Sequence, residues 1–177
     1  MNRVIVFAAL AVLVLASPAS AQEEPTTRDG SASRIYYGGS ITLGFGSSFR
    51  IGVFPLLGVR LTPKLSVGGQ AGIEYVNYDG PGREAVNYGG SLFARYRVIP
   101  QLYLHGEGVY ANYELFGVGD TSQREWVPFL LLGGGFVQPV SVRSAAYVEV
   151  LFDVLQDDNS PYNDWEPFVR VGVMVGY

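Results

Sequence analysis

From residue 34 to residue 177 the chain repeats one pattern eight times: a stretch of 13 or 14 residues in which apolar side chains take every second position. The stretches run approximately over 34–46, 49–62, 65–77, 85–98, 101–113, 124–137, 141–154 and 165–177. A period of two marks a strand with two unlike faces. Length is the sharper constraint. Strands of soluble domains average ~5–6 residues, whereas a tilted strand needs ~9–11 to cross the hydrocarbon layer, and more to reach both interfaces. After residue 21 there is no run of 18 or more apolar residues. Any membrane crossing must therefore be made by strands.

The alternation assigns faces. In the last segment Val169, Val171, Val173, Val175 and Tyr177 oppose Glu166, Phe168, Arg170, Gly172, Met174 and Gly176. In the second, Ile51, Val53, Pro55, Leu57, Val59 and Leu61 oppose Arg50, Gly52, Phe54, Leu56, Gly58 and Arg60. The third and seventh sort likewise, with Glu74 and then Arg143, Tyr147, Glu149 and Asp153 on the polar side. The apolar face must meet lipid, because a charge there costs ~2–4 kcal/mol at the midplane. The sixth segment, WVPFLLLGGGF, is apolar on both sides and its facing stays open. The competing reading, a soluble sandwich or lipocalin-like barrel, would bury the valine face and show the charges to water.

Connections carry the topology. Thr62-Pro63-Lys64, Ile99-Pro100-Gln101 and Gln138-Pro139-Val140 are short and contain proline, which suits tight turns. Those around 78–84, 114–123 and 156–164 are longer and polar, and only Ser47-Ser48 is short at that end. Short turns at one end and longer loops at the other is the arrangement of an outer-membrane barrel, with both termini on the periplasmic side. Eleven aromatic residues fall near strand ends and are expected in the two headgroup girdles: Tyr36, Tyr37, Tyr75, Tyr78, Tyr96, Tyr103, Tyr110, Tyr113, Trp126, Trp165 and Tyr177.

Residues 1–21 have Arg3, an uncharged apolar stretch from Val4 to Leu15, and Ala19-Ser20-Ala21 before a polar segment. This is the pattern of a secretory signal peptide, with an apolar stretch too short to span as a helix. Residues 22–33 read as a flexible leader and 34–177 as the barrel. Charged residues make up only 16% of the chain, against roughly 25% in ordinary soluble domains, which again favours a lipid-facing wall. There is no cysteine, so there is no disulfide framework or Cys-ligated metal. The net charge of −4 and the absence of a basic run argue against nucleic acid.

On these features the chain resembles the small outer-membrane β-barrel proteins, which include the transmembrane domain of outer-membrane protein A and the outer-membrane protein X group. The resemblance covers about residues 34–177. It implies an all-β, eight-stranded antiparallel up-and-down transmembrane barrel in a Gram-negative bacterial outer membrane. It further implies a monomer surrounded by lipid and lipopolysaccharide. The ending from Val169 to Tyr177 looks like the family's assembly signal, read by the barrel-assembly machinery, although Phe is the usual last residue.

The inward set then holds Arg50, Arg60, Glu74, Arg95, Arg97, Glu107, Glu149, Asp153, Glu166 and Arg170, with Arg143 and the single histidine, His105. Charges inside an eight-stranded barrel must be paired or solvated. An ion-paired lumen in a structural or surface protein is the expected reading, with Glu74–Arg95 and Glu149–Arg170 as contacts. A narrow channel for ions or small solutes is the alternative, since the inward Gly38, Gly44, Gly52, Gly58, Gly68 and Gly72 leave some space. An adhesin acting through the outer loops is a further alternative. An enzyme is not expected: Ser91, His105 and Glu107 are the candidate residues, but a lone histidine in a polar core is usually structural. No cofactor and no metal site is expected, the loop residues Asp157, Asp158 and Asp164 being read as solvated.

Overall fold

The computed structural model describes residues 34–44, 48–78, 84–116, 122–162 and 165–176. The expected signal peptide and leader lie outside them, as do Tyr177, Asp164 and several loop tips. The described residues form β1 (Ile35–Gly44), β2 (Ser48–Arg60), β3 (Leu65–Tyr78), β4 (Glu84–Ile99), β5 (Leu102–Phe116), β6 (Ser122–Pro139), β7 (Ser144–Asp153) and β8 (Pro167–Val175). Each strand pairs antiparallel with the next, and β1 with β8, so the sheet closes in chain order. Closure removes both sheet edges. A slip of one residue would turn every valine row into the lumen, so the alternation also fixes the register.

The barrel is inside out relative to a soluble domain. Ile41, Val53, Leu57, Leu92, Leu104, Val150 and Val171 are exposed on the wall, while Arg95, Glu107, Glu149 and Arg170 are buried. This removes the soluble reading, which needs the opposite sorting. Strand six resolves too: Val127, Phe129, Leu131 and Val137 are buried, and Trp126, Leu130, Leu132 and Phe136 are exposed.

Strand lengths are less uniform than the periodicity predicts, from 9 residues in β8 to 18 in β6. Much of the expected loop at 114–123 is strand, with pairing that continues to Phe116↔Ser122. The Glu114–Arg124 ion pair (2.9 Å) and the Tyr110–Trp126 ring stack (4.9 Å) hold that extension together. β7 starts late because Val140 and Ser141 donate backbone hydrogen bonds to the Ser144 carbonyl, which closes a turn. Arg143, expected inside, is exposed in that turn. β8 starts late behind Trp165, whose φ of 60° is incompatible with an extended strand.

The inward glycines do not leave a bore. Four of them lie directly opposite an aromatic residue: Tyr36↔Gly58, Phe93↔Gly68, Tyr103↔Gly135 and Tyr147↔Gly172. In each pair a Cβ on the glycine would overlap the ring. Phe54 covers Gly52 and Gly72 in the same way, and a Cβ at Gly38 would strike the β8 backbone. Tyr36 and Tyr103, expected in the girdle, are therefore core residues, and Tyr113 is buried as well. Gly58→Val should lower the unfolding free energy by about 1–3 kcal/mol through overpacking. A Cβ at Gly108, by contrast, would meet nothing within 4 Å. Gly108→Ala should stay within about 0.5 kcal/mol of the unmodified barrel. Urea titration measures both, and equal midpoints would remove the packing role of Gly58.

Candidate functional site

The lumen has three levels between the turn end, which carries both chain ends of the barrel, and the loop end. At the turn end Tyr36, Leu56, Phe93, Tyr103, Val137, Ala145, Tyr147 and Met174 form one buried cluster. Near the loop end Ala111, Tyr113, Val127, Phe129, Leu131 and Leu151 form another, against which Tyr162 and Phe168 pack.

The middle level is charged. Inward positions of four strands deliver Arg95 from β4, His105 and Glu107 from β5, Glu149 from β7 and Arg170 from β8, none more than 5% exposed. Arg95 Nη2 lies 2.6 Å from Glu149 Oε1, and the Tyr103 hydroxyl donates to the same oxygen at 2.8 Å. Arg170 Nη1 pairs with Glu107 Oε2. His105 joins the two ion pairs. Its Nδ1 accepts from Arg95 Nε at 3.0 Å, and its Nε2 lies 3.1 Å from Glu107 Oε2. With Nδ1 accepting from Arg95, Nε2 is the ring nitrogen that donates to Glu107. Nδ1 is also 3.1 Å from Glu149 Oε1, and Arg95 bridges these two acceptors. The Arg95 guanidinium sits 4.6 Å from the ring centre of Phe93, 5.1 Å from Tyr147 and 5.3 Å from Tyr103. Cation–π attraction and the carboxylate together offset the desolvation of this arginine.

Neither expected contact is the one made. Glu149 and Arg170 are neighbours in the β7–β8 register, yet Glu149 reaches to Arg95 and Arg170 to Glu107. The lumen is narrow enough for arginine to cross it. Arg95 lies opposite Ser66, and Glu74 opposite Asn87. Eight residues of strand, or roughly 26 Å, separate Ser66 from Glu74.

Glu74 belongs instead to a loop-end group. It accepts from the Tyr162 hydroxyl at 3.2 Å, Arg50 lies 4.7 Å from the Tyr162 ring centre, and Arg50 Nη2 is 3.5 Å from Glu166 Oε1. Burial, with Tyr113 and Glu74 beside it, holds the Tyr162 hydroxyl protonated well above the ordinary tyrosine range. Tyr162 comes from the β7–β8 loop, where no periodicity singles it out in the sequence.

Asp153 accepts from the backbone of Leu130, Leu155 and Gln156 and closes the end of β7. Arg60 donates to the Gly176 carbonyl, and Arg60 and Arg97 line a small turn-end pocket together with Arg95. Val169, Val171 and Val173 are exposed on the wall. Both ring nitrogens of His105 are engaged by charged neighbours, and Ser91 sits on the wall of the loop-end cavity. A nucleophile needs a base that is free to take its proton. Asp157 is committed to a turn through the Asn159 amide, at 2.9 Å. Among the described residues no three His, Asp or Glu side chains are grouped to hold a metal ion.

No protein-family model matches the chain, and no curated protein matches it. Among solved structures, the N-terminal beta-barrel domain of Pseudomonas aeruginosa OprF superposes with a TM-score of 0.48 at 12% identity. The match covers 80% of this chain and 96% of that one. Likeness at this level says nothing of function; the class defined here, a closed eight-stranded antiparallel barrel with an apolar wall, rests on the register and the burial.

Proposed function

We propose that the chain is a Gram-negative outer-membrane β-barrel protein, exported by a cleaved signal peptide, that serves as a monomeric structural or surface barrel with a sealed lumen. The apolar wall supports residence in a bilayer. So do the exposed rings near its rims: Tyr37 and Tyr96 towards the turn end, and Tyr88, Tyr110 and Trp126 towards the loop end. Its partners on this reading are lipid and lipopolysaccharide around the wall, and the assembly machinery at the segment from Val169 to Tyr177. No enzymatic step is assigned to it.

The observation that carries the sealed reading is the buried layer of Arg95, His105, Glu107, Glu149 and Arg170, tied from β4 to β8 across the lumen. A narrow ion channel is the second reading. The loop-end cavity reaches Glu107 and Arg170, and the turn-end pocket reaches Arg95 and Tyr103. One level of ion pairs thus stands between them. Single-channel recording of the refolded mature protein in planar bilayers separates the two readings. A silent membrane containing inserted protein is the expected result. Discrete openings whose size changes in Arg95→Gln would establish the channel and overturn the sealed barrel.

A further inference from the structure

The side chains that carry charge at the turn end are all cations. Arg34, Arg60, Lys64, Arg97 and Arg143 lie there, whereas the stretches that build that end, residues 34–40, 58–68, 94–104, 136–146 and 172–177, contain no Asp or Glu. All thirteen Asp and Glu of residues 34–177 fall elsewhere. Backbone hydrogen bonds set these cations side by side. The Arg60 amide donates to the Arg34 carbonyl, the Arg97 amide to the Lys64 carbonyl and the Gly176 amide to the Arg143 carbonyl, each at 2.7 Å. The Arg60 side chain donates to the Gly176 carbonyl, which brings the Arg143 turn into the same group. Like charges at neighbouring positions of a sheet repel. Even a carboxylate at residue 177 would leave a surplus of four, so the positive charge belongs to the surface as a whole and not to any one arginine. The turns that present Lys64 and Arg143 are held by their own hydrogen bonds: Thr62 Oγ1 accepts from the Lys64 and Leu65 amides, and Ser141 Oγ from the Arg143 amide. Exposed apolar side chains are interleaved with the charges. Ile35, Leu61, Val98 and Val142 each adjoin one of the arginines, and Val142 is 99% exposed on its turn.

We propose that the turn end is a docking surface for the anionic glycerophospholipid headgroups of the leaflet it meets, with a phosphodiester seated against Arg60, Lys64 and Arg97. The proposal rests on the membrane residence argued above. The three cations line one pocket together with Thr62 and Ser66. It is shallow, about 10 Å³, which is room for one water-sized atom. Such a pocket seats one phosphate oxygen and does not enclose a free anion. A lipid phosphate needs no enclosure, because its acyl chains are already buried along the apolar wall. The arginine forks match phosphate oxygens in pairs, and the lysine adds a point charge. Leu61, Val98 and Val142 enter the acyl region beside the headgroups, while the arginine stems carry their charged ends out to the phosphates. An acidic soluble partner would match the charge but would leave these apolar side chains in water.

The test places the refolded, isotope-labelled mature protein in nanodiscs of phosphatidylcholine and replaces that lipid stepwise with phosphatidylglycerol. If no barrel spectrum forms in phosphatidylcholine alone, the membrane reading falls and this proposal with it. With the barrel formed, saturable amide shifts are expected at Lys64, Arg97 and Arg143 as phosphatidylglycerol rises, while Gln123 and Asn159 at the loop end stay unmoved. Lys64→Gln and Arg143→Gln, both in exposed turns, should each weaken the response by about fivefold, the worth of one cation near an anionic leaflet. Added salt should weaken it in the unmodified protein, a readout that needs no variant. A folded barrel whose turn-end amides ignore phosphatidylglycerol, or whose two ends respond alike, would overturn the proposal and leave membrane residence intact. So would variants that respond like the unmodified protein. Saturable shifts with inorganic phosphate in phosphatidylcholine discs would overturn it as well, by assigning the pocket to a free anion.

Discussion

Glu149→Ala lowers the unfolding free energy of the refolded barrel by about 3–5 kcal/mol, the expected cost of stranding a buried charge. Glu149 is 1% exposed and holds Arg95 at 2.6 Å, and Arg95 is itself enclosed by Phe93, Tyr103 and Tyr147. Alanine leaves that guanidinium with two neutral acceptors, the His105 nitrogen and the Met174 sulfur, while the nearby Glu107 is paired with Arg170. The double variant Arg95→Met, Glu149→Leu removes both charges at similar volume and should recover most of the loss. Urea unfolding in lipid vesicles measures all three proteins. A double variant as weak as Glu149→Ala would show that the loss comes from packing or from the Tyr103 hydroxyl, and not from an unpaired arginine.

Val171→Arg should cost about 2–4 kcal/mol in the same vesicles, the penalty for a cation on a lipid-facing wall near the midplane. Val171 is the middle residue of β8, is 46% exposed, and stands opposite Ile41 and Val148. On a barrel surrounded by water the same change at an exposed site would fall within about 0.5 kcal/mol. Asn159→Arg in the β7–β8 loop is the matched control and should be close to neutral. If Val171→Arg unfolds like the control, the valine rows do not face lipid and the membrane assignment falls.

The sequence carries the fold well because the wall is built on one rule. Period-two sorting of valine and leucine against glycine and charge yields the strand count, the facing and the closed topology. It is silent where both faces are apolar, as in β6, where Phe129 and Leu131 fill the lumen while Leu130 and Leu132 meet the outside, and it misplaces Arg143, which a turn takes out of β7. The site is harder to read because it depends on register and reach, and neither is written in a single strand. Alternation points Glu74, Arg95, Glu149 and Arg170 inward, but only pairing heights reveal that Glu74 and Arg95 lie at different levels. Side-chain length then lets Arg170 bypass its strand neighbour Glu149 for Glu107. Tyr162 is invisible beforehand since it enters the lumen from a loop. The rings of Tyr36 and Tyr103 look like girdle residues until their partners, Gly58 and Gly135, are known.

Those opposed rings and glycines also bear on how such a wall can change over generations. Each ring occupies the room its cross-strand partner has given up, so the two positions share one volume although 22 to 32 residues of chain separate them. A bulkier side chain at the glycine is acceptable only once the ring has shrunk, and a lost ring opens a hole that only a larger partner can close. Descendants of this chain should therefore alter Tyr36 with Gly58, Phe93 with Gly68, Tyr103 with Gly135 and Tyr147 with Gly172, each as a linked substitution, while the valine rows outside drift one residue at a time.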